Sequence, residues 1–102
     1  MPILNQPDTR PELVVIGGLA DWMVLELRAL YRVHDLGGVS NETERARLLA
    51  QAAGAGAAVT TGLVGIDAQT VRQLPGLRLV ACFGVGYDRV DRPALSERAI
   101  HL

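Results

Sequence analysis

Short apolar runs alternate along the chain with amphipathic stretches, and this alternation predicts an α/β fold. The apolar runs are rich in β-branched residues or alanine and end at glycine or proline, as buried strands commonly do. We predict strands at residues 12–16, 32–36, 57–61 and 77–83, and the start of a fifth at 100–102. The spacing of the apolar residues between them predicts helices at 19–31, about 42–53, 67–74 and about 91–98.

Strands that alternate with helices in this way form a parallel sheet with helices on both of its faces. We predict the flavodoxin-like strand order 2-1-3-4-5, in which ligands bind beyond the carboxyl ends of the strands. Residues 1–12 contain Pro2, Pro7 and Pro11 and are predicted to be a loose lead-in. Residues 13–102 are then long enough for one domain with one modest core. Trp22 is predicted to lie in that core, between the first helix and the sheet.

A glycine-rich loop follows the fourth predicted strand and begins Gly84-Val85-Gly86-Tyr87. Two glycines one residue apart let the backbone turn sharply and present bare N–H groups, which bind a carboxylate or phosphate. A plain strand-to-helix turn is the alternative that the spacing leaves open. Tyr87 is predicted to face the cleft at this loop because it comes directly after the second glycine.

A second loop, residues 60–65 (TTGLVG), follows the third predicted strand and lies beside the first loop in the predicted order. Its hydroxyls and amides are candidates to line the same cleft, although an ordinary polar loop has this composition too. The loop that begins at Gly84 does not match a dinucleotide-binding fingerprint, because the fingerprint needs a third glycine at the position of Arg89. The turn at Gly17-Gly18 fails as well, because Leu19 occupies the position of the second glycine. We therefore expect no nicotinamide cofactor to be bound by this chain alone.

Composition narrows the function further. The formal net charge of −1 argues against a nucleic-acid or anionic-membrane surface. Every basic residue is arginine, so lysine Schiff bases and the lysine of a phosphate-binding loop are excluded. Cys82 is the single cysteine and cannot form an internal disulfide, which indicates a cytoplasmic protein. No apolar run is long enough to span a membrane, and no metal site is expected, because His34 and His101 lack acidic neighbours at catalytic or metal-ligand spacing.

The stretch at residues 78–91 (RLVACFGVGYDRVD) resembles the substrate-domain segment of the D-isomer-specific 2-hydroxyacid dehydrogenases, especially the glyoxylate and hydroxypyruvate reductase branch. Residues 59–67 and 74–77 match that branch in order and spacing. The resemblance implies that backbone amides of one loop hold the carboxylate of the substrate while a second loop edges the pocket. The implied substrate-binding residues are Gly84, Val85, Gly86 and Tyr87 in the first loop, and Thr61, Gly62 and Leu63 in the second.

By the same resemblance, the complete enzyme reduces a 2-keto acid such as glyoxylate or hydroxypyruvate with NAD(P)H. In that family the cofactor fingerprint and the catalytic residues come later in the chain than Leu102. We therefore expect an incomplete substrate-binding domain with no catalytic residues of its own, whose partner is a missing nucleotide-binding domain. Its uncovered apolar face is expected to favour self-association. Whether the chain itself is an enzyme stays open, and the alternative is a stand-alone flavodoxin-like binding or interaction module.

One position departs from the resemblance. The family ends the last helix of this segment with glycine, and Ala99 stands there instead. If that residue is left-handed, alanine costs about 1 kcal/mol relative to glycine.

Overall fold

The structure, a computed structural model, describes residues 9–84 and 86–102. Most of the predicted lead-in and one residue of the predicted anion-binding loop, Val85, lie outside the described residues. Strands and helices alternate as predicted. They are β1 (Glu12–Val15), α1 (Asp21–Leu30), β2 (Arg32–Asp35), α2 (Glu42–Gln51), β3 (Ala57–Thr61), α3 (Ala68–Arg72), β4 (Leu79–Phe83) and α4 (Arg92–Glu97). None of these helices is long and apolar enough to cross a membrane.

The four strands form one parallel sheet in the order β2-β1-β3-β4, which confirms the predicted arrangement. The predicted fifth strand is present as a single parallel bridge between Leu79 and His101. The Val80 amide donates to the His101 carbonyl at 2.8 Å, and the His101 amide donates to the Arg78 carbonyl at 3.0 Å. The chain therefore returns to the sheet beside β4, where the order 2-1-3-4-5 requires it.

Helices α2, α3 and α4 pack together on one face of the sheet and enclose the larger core. The alternating strand residues Val14, Ala58 and Val80 point into it and are fully buried. Each helix contributes at least one buried apolar side chain to the same core: Leu49 from α2, Val71 from α3 and Leu95 from α4.

Helix α1 is alone on the other face among the described helices. It covers a smaller cluster that contains Leu13, Val15 and Val59. The prediction that Trp22 lies in the core is wrong, because its side chain is 64% exposed. Trp22 lies on the side of α1 that borders β4. No described helix packs against that side of α1, so the side chain stays exposed.

Aspartate or asparagine side chains begin three of the helices. Asn41, Asp67 and Asp91 each accept a hydrogen bond from the amide three positions on, at 3.0, 2.8 and 3.1 Å. Such caps satisfy amides that have no partner within the helix. Hydrogen bonds from the Thr70 side chain and backbone lower the pKa of Asp67, so the negative charge that stabilises the start of α3 is kept at neutral pH.

Helix α4 is followed by a left-handed residue, Ala99, at the position where the family resemblance leads one to expect glycine. Ala99 has φ 55°, and the amide of Ile100 donates back to the Leu95 carbonyl at 2.9 Å. This turn directs the chain from α4 to the edge of β4. The backbone adopts a conformation that glycine reaches at lower cost than alanine.

We therefore expect Ala99→Gly to raise the free energy of unfolding by about 0.5–1 kcal/mol. Ala46→Gly is the matched control, because Ala46 is exposed within α2. That change should lower the free energy of unfolding by about 1 kcal/mol. Urea unfolding followed by circular dichroism measures both values, and a loss of stability in both variants would contradict the left-handed assignment.

Candidate functional site

A cavity opens at the carboxyl ends of β3 and β4, where ligands bind in sheets of this class. Its volume is about 420 Å³, and its lining comes from the ends of the two strands and the loops that follow them. The lining residues are Thr61, Gly62, Leu63, Phe83 and Gly84. None of these carries a charged side chain, so any charge on a ligand must be met by backbone groups.

The loop after β3 is closed by its own hydrogen bonds. The Thr60 hydroxyl, which is fully buried, donates to the Gly65 carbonyl at 2.7 Å. The Gly65 amide donates to the Thr61 carbonyl at 2.7 Å, and the Val64 amide donates to Thr61 Oγ1 at 3.3 Å. The Gly62 amide donates to the Phe83 carbonyl at 2.9 Å and joins this loop to β4. These bonds fix the floor of the cavity, and they leave the Gly62 amide unavailable to a ligand.

The loop after β4 has the backbone conformation that its glycines allow. Gly84 has φ 100° and Gly86 has φ 87°, both in the region that favours glycine. No described residue accepts a hydrogen bond from the amides of Leu63, Gly84 or Gly86. Two of these unbonded amides, those of Leu63 and Gly84, belong to residues that line the cavity. The two loops therefore offer free N–H donors in the same place, which is the chemistry of an anion-binding site.

Four of the seven residues predicted for the site line the cavity: Thr61, Gly62, Leu63 and Gly84. Gly86 and Tyr87 lie on the same loop, outside the lining, and the ring of Tyr87 is about half exposed. The Tyr87 carbonyl accepts from the amide of Val90 and helps to turn the loop into α4. Val85 lies outside the described residues.

Phe83 is a lining residue that the sequence interpretation missed, because it was treated only as the end of a strand. Its side chain is 48% exposed and lines a second cavity of about 280 Å³ as well. That cavity lies between β4 and α1 and includes Trp22, Glu26 and Leu30 in its lining. The available signal was the alternation along β4, which places Phe83 opposite the buried face of Val80.

The β1–α1 turn packs closely against the loop after β3. Gly18 has φ 83°, and a Cβ atom placed there would lie 2.6 Å from Thr61 Oγ1. The Thr61 side chain therefore occupies the space in which a side chain at position 18 would lie. At the other loop, an exposed residue, Arg89, stands at the position of the third glycine of a dinucleotide fingerprint.

An ion-pair cluster occurs at the opposite, amino end of the sheet. Glu12 Oε1 lies 2.9 Å from His34 Nε2, and Glu12 Oε2 lies 3.3 Å from an Arg32 guanidinium nitrogen. The sequence interpretation missed this partner of His34, because only the pairing of β1 with β2 brings it near. This cluster lies away from the carboxyl ends of the strands, where ligands bind. We therefore interpret it as an interaction that stabilises the edge strand β2.

Other candidate chemistry is sparse in the part of the chain that the structure describes. No group of three or more histidine, cysteine or acidic residues there has a metal-binding arrangement. Cys82 is half-buried against the larger core, where a cysteine acts as a small apolar side chain.

Comparisons with known proteins identify the family of the chain. Residues 21–102 match the family model described as D-isomer specific 2-hydroxyacid dehydrogenase, catalytic domain. The chain is 30% identical over 99 residues to glyoxylate/hydroxypyruvate reductase B of Shigella flexneri serotype 5b (strain 8401), a match that covers 91% of this chain and 28% of the relative.

Two solved structures are similar as well. A 2-hydroxyacid dehydrogenase from Ketogulonicigenium vulgare Y25 superposes with a TM-score of 0.76 at 30% identity, over 91% of this chain and 29% of that protein. A D-isomer specific 2-hydroxyacid dehydrogenase from a Polaromonas species, described as NAD-binding, gives 0.65 at 25% identity, over 91% and 30%. The chain thus spans less than a third of the length of these relatives. It belongs to the D-isomer specific 2-hydroxyacid dehydrogenase family, whose catalytic-domain model matches most of its residues.

Proposed function

We propose that residues 13–102 form a substrate-binding domain that holds the carboxylate of a small 2-keto or 2-hydroxy acid. The observation that carries this proposal is the set of unbonded amides of Leu63, Gly84 and Gly86 at the carboxyl ends of β3 and β4. In the complete enzyme, the acid would be reduced at its keto group with NAD(P)H. Glyoxylate and hydroxypyruvate are the first candidates, because the reductase of Shigella flexneri is named for them.

Backbone amides suit this task for a physical reason. Hydrogen bonds from N–H groups to a carboxylate are charge-assisted and stronger than those between neutral groups. The cavity lining holds no side chain that carries a charge at neutral pH, so its affinity for the acid rests on backbone geometry. The positive φ values of Gly84 and Gly86 support that geometry, because other residues adopt them at a cost.

We infer that the reaction itself depends on groups outside this chain. Reduction of a keto acid needs a hydride donor at the carbonyl carbon and a proton donor at its oxygen. No acid or histidine among the residues that the structure describes lines the cavity. His34 and His101 both lie away from it, His34 beside Glu12 and His101 beside the first residue of β4. The chain would contribute orientation of the substrate and exclusion of water.

The cofactor is assigned in the same way. We propose that this chain binds no nicotinamide cofactor, because Leu19 and Arg89 stand where a dinucleotide fingerprint needs glycine. A separate nucleotide-binding domain would hold NAD(P), as the NAD-binding description of the Polaromonas relative supports. The protein would act in the cytoplasm, in agreement with its single cysteine.

The exposed apolar surface on the α1 side favours contact with another polypeptide. Trp22, Leu25 and Leu30 on α1 are each about two-thirds exposed, and Phe83 faces the cavity beside them. Contiguous apolar surface of this kind marks interaction sites. The nucleotide-binding domain and a second copy of the chain are the proposed partners. The same surface supports the second candidate function, an interaction module without a small ligand.

The test is a nuclear magnetic resonance titration of the ¹⁵N-labelled chain with glyoxylate, hydroxypyruvate and pyruvate. The amide signals of Leu63, Gly84 and Gly86 are expected to shift in a saturable way. Gly86→Ala keeps the backbone N–H but strains the left-handed conformation that orients it (φ 87°). The displaced amide should weaken binding about tenfold, the value of one hydrogen bond to a charged group. NADH mixed with chain and acid should stay unoxidised.

Gly38→Ala is the matched control. Gly38 also has positive φ, at 80°, and a Cβ atom meets nothing within 4 Å at either glycine. Both variants therefore carry a similar backbone strain, but only Gly86 belongs to the proposed site. Unchanged amide signals with every acid would contradict carboxylate binding and favour the interaction module.

A further inference from the structure

The cavity at the carboxyl ends of β3 and β4 has an apolar wall beside its free amides. Among the described residues, three contribute side chains to its lining: Thr61, Leu63 and Phe83. Thr61 Oγ1 already accepts a hydrogen bond from the Val64 amide and lies against the backbone of Gly18. What remains for a ligand to contact is the surface of a leucine and a phenylalanine.

Both apolar side chains are unusually open to solvent. Leu63 is 83% exposed and Phe83 is 48% exposed. A ligand that covers them removes apolar surface from water, which is favourable in proportion to the area covered. The cavity is open to solvent on the side of these two residues, so a substituent beyond the carboxylate can lie against them.

The positions of the two features set the arrangement of a bound acid. Gly84 supplies a free amide and is the next residue after Phe83, and Leu63 supplies a free amide and one of the apolar side chains. A carboxylate held by these amides leaves the rest of the molecule beside Leu63 and Phe83. A charged group at that end would lose its hydration without gaining a cationic partner, since no lining side chain is basic.

Building on the proposed function, we propose that the site prefers 2-keto acids with an aliphatic substituent, and that Leu63 and Phe83 determine this preference. Each methylene group that is fully covered should raise the affinity about fourfold. A branched acid such as 4-methyl-2-oxopentanoate should therefore bind at least about tenfold more tightly than pyruvate, allowing for incomplete cover in an open cavity. 2-Oxoglutarate, which is also longer but ends in a second carboxylate, should bind no more tightly than pyruvate.

The test uses the whole chain labelled with ¹⁵N and with ¹³C at leucine methyl groups, titrated with these three acids. The amide signals of Gly84 and Gly86 report the carboxylate, and the methyl signals of Leu63 report the substituent. Leu63→Ser should abolish the advantage of 4-methyl-2-oxopentanoate over pyruvate, because serine removes the aliphatic surface that the branched substituent covers. Leu79→Ser is the matched control, because Leu79 is an exposed leucine at the other end of β4, and it should keep the full advantage.

The outcomes separate the two proposals. Equal affinities for the three acids, with shifts at Gly84 and Gly86, would overturn the aliphatic preference and leave carboxylate binding intact. A preference that survives Leu63→Ser would overturn the assignment of Leu63 to the specificity of the site. An absence of shifts at Gly84 and Gly86 with every acid would overturn both.

Discussion

Gly65→Ala is expected to destabilise the chain by at least about 3 kcal/mol, a large share of the total stability of a small domain. A Cβ atom at Gly65 would lie 2.0 Å from the carbonyl oxygen of Arg89, and φ there is 69°. The colliding atom belongs to the backbone, so no side-chain rotation relieves the contact. Relief would separate the two loops and break the hydrogen bonds between Ile66 and its partners, Arg89 and Asp91.

Urea unfolding of the variant beside the parent chain measures this effect. Gly38→Ala again serves as the control, because it has a similar φ and open space around the added methyl group. That control should lose only about 1 kcal/mol, the cost of the left-handed conformation alone. Similar losses in the two variants would show that the loops after β3 and β4 are not in close contact.

Gly18→Ala should have the next largest effect, a loss of about 2–3 kcal/mol. The added Cβ would lie 2.6 Å from Thr61 Oγ1 and 2.7 Å from Thr61 Cγ2. Because Thr61 lines the cavity, its forced movement should also weaken the binding of a keto acid. Thermal unfolding and the amide titration together report both consequences.

A double variant isolates the contact. Thr61→Ala removes the two atoms that the new methyl group overlaps, so Gly18→Ala in that background should cost only about 1 kcal/mol for its φ of 83°. The two changes are therefore expected to be non-additive by about 1–2 kcal/mol. Additive losses would mean that Gly18 and Thr61 do not touch in solution.

Local sequence patterns were enough to predict the architecture. The β-branched run at β1 and the glycines that end it identify a buried strand, and the order of elements leaves few parallel arrangements. The left-handed conformation of Ala99 could be anticipated too, because a helix end favours that conformation at one position. Glycine spacing also predicted the left-handed backbone of the loop after β4, which we propose to bind an anion, because glycine spacing reports directly on backbone freedom.

Features that depend on contacts between distant segments could not be predicted from the sequence. Trp22 has the spacing of a core residue, and its exposure becomes clear only from the packing, in which no helix of the described residues lies beside α1. Phe83 lines the cavity only because the loop after β3 leaves an opening beside the end of β4, and the sequence does not show that opening. The filling of the Gly18 turn by Thr61 requires the register of two strands that are more than forty residues apart in sequence.

The position of Trp22 has a practical consequence, because it is the only tryptophan in the chain. Its indole ring borders the cavity between α1 and β4, which adjoins the amide-lined cavity through Phe83. Fluorescence excited at this ring is therefore a built-in optical probe of one face of the sheet. A polypeptide that covers α1 should shift the emission maximum to shorter wavelength. A small acid bound at the loops should leave the wavelength of the emission maximum unchanged.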